Sequence, residues 1–112
     1  MRVLVCGGRK YNNSIKIEEI LSQYKIDCLI EGGAWGADYH AAQYAYKYGI
    51  WNEKYPAEWA RYGKSAGMIR NRQMLTEGKP ELVIAFPGGQ GTANMVQCAI
   101  DAGVTVRVIE DN

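Results

Sequence analysis

The segment Pro87-Gly88-Gly89-Gln90-Gly91-Thr92 directly follows the apolar run Leu82-Val83-Ile84-Ala85-Phe86. A buried strand that empties into a glycine-dense turn and then a helix is an arrangement that holds phosphate. Glycine lets backbone N–H groups approach an anion closely, and the helix N-terminus carries positive partial charge. Gly89, Gly91 and Thr92 would supply amides and a hydroxyl; the alternative is a tight turn in which Thr92 is a simple N-cap. Two more glycine pairs, Gly7-Gly8 and Gly32-Gly33, also follow apolar runs. The second leads into Ala34-Trp35-Gly36-Ala37-Asp38. There Asp38 either accepts hydrogen bonds from ribose hydroxyls or caps a helix, and Trp35 either stacks on a base or packs under a loop. Glu31 stands where dinucleotide-binding sheets hold a ribose-reading acid. The loop Gly7-Gly8-Arg9-Lys10 does not follow G-x-G-x-x-G, which counts against a nicotinamide-type site.

Arg9, Lys64, Arg70 and Arg72 are candidate charge partners for phosphates. Arg70 and Arg72 are two residues apart on a predicted helix, so they point in different directions and one of them faces a ligand. Gly63-Lys64-Ser65 is not a P-loop, because Glu58 occupies the position of its first glycine. Trp59 and Tyr62, in a polar stretch, suit base stacking, a lid or a subunit contact. His40 falls within a predicted helix and reads as a packing or surface residue. The tyrosines 39, 44, 46 and 48 read as helix core and flank.

These residues need a frame. Short apolar runs predict strands over Val3–Cys6, 28–30, Trp51–Tyr55, Leu82–Phe86 and Val104–Ile109. Helical spacing predicts helices over 12–24, 36–48, 68–77 and 92–102, with a polar loop over 57–67. Asn13 or Ser14 caps the first helix, and Gly49 ends the second. This alternation implies an α/β fold: one Rossmann-like doubly wound sheet of about five parallel strands, helices on both faces, spanning residues 1–112 as one domain. Each glycine pair sits at a strand's carboxyl end, so all three should converge on one edge, where such sheets bind ligands.

Composition narrows the class. A net charge of +1, from 13 basic and 12 acidic side chains, gives no electrostatic case for a nucleic-acid or membrane binder. Three cysteines in apolar contexts, and no apolar stretch of membrane length, point to a reducing, cytoplasmic setting. One histidine leaves little material for a metal site or a Ser-His-Asp triad, and no cofactor is expected.

The motifs together resemble the SLOG superfamily of Rossmann-like domains, in particular its small YspA/YpsA-related branch, common in bacteria and their phages. They are Gly7-Gly8-Arg9, Gly32-Gly33-Ala34-x-Gly36-Ala37-Asp38, Ala66-Gly67-x-x-Arg70-Asn71-Arg72-x-Met74 and Pro87-Gly88-Gly89-x-Gly91-Thr92. The second is also similar to a loop of the DNA-processing protein A domain. In the superfamily's Lonely-guy phosphoribohydrolases the last motif continues to a catalytic glutamate, and an upstream arginine matches Arg70, or Arg72 without gaps. Here the glutamate's position holds Met95. A thioether can neither stabilise an oxocarbenium-like state nor activate water. The resemblance therefore implies a module that binds a nucleotide or nucleotide derivative, including the ADP-ribose type, as a sensor or sequestering protein. The alternatives are a nucleotide N-glycosidase using Arg70 with a carboxylate from Glu31, Asp38 or Glu58, and a DNA- or protein-interaction module. It also implies a homo-oligomer.

Overall fold

The structure, a computed structural model, describes residues 1–111. Its five strands are β1 (Arg2–Cys6), β2 (Cys28–Glu31), β3 (Trp51–Lys54), β4 (Leu82–Ala85) and β5 (Thr105–Val108). All neighbours pair in parallel, in the order β3-β2-β1-β4-β5. The helices are α1 (Ser14–Leu21), α2 (Ala37–Lys47), α3 (Trp59–Tyr62), α4 (Ala66–Thr76) and α5 (Gln90–Asp101). Among the described residues no helix is long and apolar enough to cross a membrane.

The two-residue period of β1 divides the core. Val3 and Val5 face a cluster with Ile17, Ile20 and Leu21 of α1 and Ala37, Ala41 and Ala45 of α2. Leu4 and Cys6 face the opposite cluster, with Met74 of α4 and Met95 and Ala99 of α5. The topology requires this split. The chain winds outward from β1 to β3, then returns to the other side of β1 for β4 and β5. Right-handed crossovers in opposite directions put their helices on opposite faces. The reversal lies between β1 and β4, so their carboxyl ends border the crevice. The central strands are buried on both faces, whereas the edge strands β3 and β5 are half exposed.

Three details differ from the sequence-based expectation. The polar stretch 57–67 contains α3 and a 3-10 turn at Gly63–Ser65, and α4 starts at Ala66. A four-residue helix lies below the length that propensity can nucleate, and α3 is held by tertiary contact: the Arg9 guanidinium lies over the Trp59 ring, 5.4 Å from its centroid. Helix α5 starts at Gln90 with Gly89 as N-cap, so Thr92 is not the cap. Tyr46 and Tyr48 are exposed, and Tyr44 alone of the α2 tyrosines packs against the buried core. Asn13 does cap α1, its side chain accepting from Lys16 N at 3.0 Å.

The glycines at 7, 8 and 36 bind the first two strand ends together. Gly36 has φ +76°, and a Cβ there would overlap the carbonyl oxygen of Gly8 and the backbone of Arg9. Replacing it with alanine adds both a left-handed strain and a backbone clash. Gly36→Ala should lower unfolding free energy by about 2 kcal/mol or more, read as a drop in the urea midpoint. A change within about 0.5 kcal/mol would show that the two loops separate freely.

Candidate functional site

The carboxyl ends of β1, β2 and β4 enclose a crevice of about 500 Å³. From the end of β1 and the turn after it come Cys6, Gly7, Gly8 and Arg9; from the loop after β2, Ala34, with Asp38 of α2. Helix α3 contributes Trp59, and the segment after it Lys64, Gly67, Met68, Arg70, Asn71 and Met74. The turn into α5 closes it with Gly89, Gln90, Gly91, Thr92 and Asn94. The three glycine pairs do converge: Gly8 N donates to Pro87 O at 2.9 Å, and Ala37 N donates to Gly8 O at 3.1 Å.

The α5 turn is open on its crevice side. No side chain caps its N-terminus, leaving the first amides of a 12-residue helix without the partner that Asn13 supplies to α1. Gly88 is confined, because a Cβ there would collide with the Thr92 hydroxyl and with Gly8 N. Gly89 and Gly91 are not: neither has positive φ, and a Cβ at either would meet nothing within 4 Å. Both line the crevice.

The acids sort differently from the sequence-based expectation. Asp38 neither caps its own helix nor turns wholly outward. Its Oδ2 accepts from Gly32 N and Ala34 N, both at 3.2 Å, which folds the loop after β2 around it. It is 6% exposed. Burial pushes its pKa up to about 6 and the charge of Glu31 adds to this, against the loop amides and Arg70. Glu31 is not placed to read a ribose. It is fully buried and accepts from Gly33 N at 2.6 Å, Asn52 Nδ2 at 3.2 Å and Lys54 Nζ at 2.8 Å, so it fastens β3 to β2. Glu58 is exposed and does not line the crevice.

The two arginines separate as helical geometry demands. Arg70 faces inward, its Nη1 donating to Gly32 O at 2.6 Å and its Nε to Asn71 Oδ1 at 3.1 Å. Burial and neighbouring Arg9 lower its pKa, against the pull of Asp38. Arg72 is solvent-exposed and does not line the crevice, which removes it from the candidate site. Residue type alone does not single out Asn71, yet it joins the two walls. Buried at 5% exposure, it donates to Gly91 O at 3.2 Å and Asn94 Oδ1 at 3.0 Å. Its place between two arginines in the chain gives no sign of this. Cys6, in the floor, is kept a neutral thiol, its pKa pushed up to about 12 by burial. Met95 is fully buried in the core beneath α5 and does not line the crevice. Trp35, Gly33, Pro87 and Gly88 also lie outside the crevice lining, the first two around a neighbouring cleft and the last two on the outer side of the turn.

A parallel sheet reversing at β1/β4, with glycine-rich strand ends around a cationic crevice, defines a Rossmann-like domain. The chain belongs to the YspA, cpYpsA-related SLOG family, whose model matches residues 1–62. It is also similar to the Gene 61 protein of Mycobacterium phage D29, with 31% identity over 118 residues that cover 94% of this chain and 93% of that protein. The family match takes in the Gly7 and Gly32 loops; Arg70 and the α5 turn lie beyond it.

Asp38 gives the site a pH signature. The folded protein holds its proton up to about pH 6, while the unfolded chain releases it near 3.8. Between those values the native state binds more protons, so this group's contribution to stability grows as pH falls. Relative to Asp38→Asn, the wild-type protein should gain about 2 kcal/mol of unfolding free energy between pH 7.5 and 4.5. Paired denaturant titrations test this; a difference that does not change with pH would mean an unshifted carboxylate.

Proposed function

We propose that this protein binds a phosphate-bearing small molecule of nucleotide type in the crevice, as a sensor or sequestering module in the cytoplasm. The observation that carries this reading is the α5 turn, where Gly89 and Gly91 are required by neither backbone conformation nor packing. An anion seated on the uncapped amides would explain why those two positions lack side chains. Arg9, Lys64 and Arg70 surround the same space against the lone carboxylate of Asp38, which favours a negatively charged occupant. The SLOG resemblance supports a nucleotide-type ligand in the same direction.

A second reading, N-glycoside hydrolysis, has one observation in its favour. Asp38 lines the crevice with its pKa pushed up to about 6, which makes it a better proton acceptor than an ordinary aspartate, whereas Met95 carries no basic group. Burial of Met95 in the core places that position out of reach of a substrate. Binding is thus the better supported reading.

Gly91→Ala separates a ligand-driven glycine from a structural one. In open space near a helix start, alanine should raise unfolding free energy by a few tenths to about 1 kcal/mol. It should also reduce the melting-temperature shift given by nucleoside monophosphates, and Gly89→Val should abolish it. Unchanged shifts in both variants would move the phosphate elsewhere. Release of free base from the same nucleotides, lost in Asp38→Asn, would establish the hydrolase reading instead.

A further inference from the structure

A second cleft of about 270 Å³ opens beside the crevice. The two share Arg9, Ala34, Trp59 and Arg70, so they are compartments of one depression. The outer cleft adds Trp35 and Pro56. Its two tryptophans are 73% and 48% exposed, at Trp35 and Trp59 respectively. Exposed indole faces gathered at one small cleft mark a contact site for another molecule.

Backbone chemistry tells the compartments apart. In the outer cleft the amides of Gly32 and Ala34 are taken by Asp38, and that of Gly33 by Glu31. Three successive loop amides, the usual makings of an anion nest, are thus already spent on carboxylates. It offers aromatic faces, a proline and the Arg9 guanidinium, already over Trp59. Those are groups that hold a flat ring by stacking and cation–π contact. The inner crevice has the complementary equipment: uncapped amides at α5 and no tryptophan apart from the shared Trp59.

We propose that the outer cleft is a ring-stacking subsite, so that the ligand is a two-part molecule with its phosphate at the α5 turn and a planar heteroaromatic ring against Trp35 and Trp59. The proposal rests on the phosphate reading above and adds the second half of the ligand. Arg9 and Arg70, on the shared wall, face the linker between the two parts. A ligand longer than a mononucleotide, with a second phosphate between its halves, would use both guanidinium groups.

Calorimetry with the purified protein tests the division. The probes are ribose 5-phosphate, which has no ring base, the four nucleoside 5′-monophosphates, and ADP-ribose. At least one base-bearing ligand should bind about ten- to a hundredfold more tightly than ribose 5-phosphate. Trp35→Ala should cut that preference and leave ribose 5-phosphate affinity unchanged, with Trp35→Phe restoring part of it, and adding Trp59→Ala should erase the preference. If ribose 5-phosphate binds and no base-bearing ligand binds better, the ring subsite is wrong and the phosphate site stands. A double variant that keeps the preference would likewise overturn the ring subsite alone. If none of the probes binds, the phosphate reading fails and takes the subsite with it.

Discussion

The backbone of Gly8 is bonded in three directions at once. Its N–H donates to Pro87 O, and its carbonyl accepts from Ala37 N at the start of α2 and from Tyr11 N beyond the turn. The end of β1 is thereby tied to the end of β4 and to the helix that follows β2. A Cβ at Gly7 would collide with Ala37 of α2, one at Gly36 with the backbone of Gly8 and Arg9, and one at Gly8 would crowd the backbone of Pro87 and Gly88. Close backbone approach, which only glycine permits, therefore sets the width of the crevice. The sheet supplies direction, but this knot supplies the distances.

From that knot the polar groups divide into those used up by the fold and those left to face the crevice. Glu31 and Asp38 are consumed in shaping the loop after β2 and in fastening β3, each accepting hydrogen bonds that would otherwise leave buried amides unpaired. Asn71 spends its amide on Gly91 and Asn94, and so holds the α5 turn against α4. The first turn of α5 lacks a side-chain cap, as α2 and α4 do, but it is the one whose first residues, Gln90, Gly91 and Thr92, line the crevice. A twelve-residue helix whose first turn opens on a crevice lined by Arg9, Lys64 and Arg70 adds its positive end to their charge.

Much of the architecture was legible in the sequence because it depends on period and punctuation. Continuous apolar runs such as Leu82–Phe86 identify doubly buried strands, and the glycine pairs mark their carboxyl ends. The departure at Met95 was equally legible, since a thioether replaces a carboxylate whatever surrounds it. Helix α3 was not legible, because four residues carry no period and Trp59 is positioned by Arg9 from a distant loop. Nor could residue type distinguish Arg70 from Arg72, which differ only in which way a helix turns them.

The parallel α/β sheet, the convergence of three glycine turns on one edge and the thioether at position 95 follow from the order of residues alone. Which of the acids also reaches the crevice depends on the folded chain. Glu31 and Asp38 look alike as candidates along the chain, but one is buried against Lys54 and Asn52 and the other lines the crevice. The same holds for Gly88 and Gly89, adjacent and identical, one packed under Thr92 and the other open. Chemical type is a property of the residue, whereas availability depends on what the fold has already placed within bonding distance. For the α5 turn, that distance is what separates the packed Gly88 from the open Gly89 beside it.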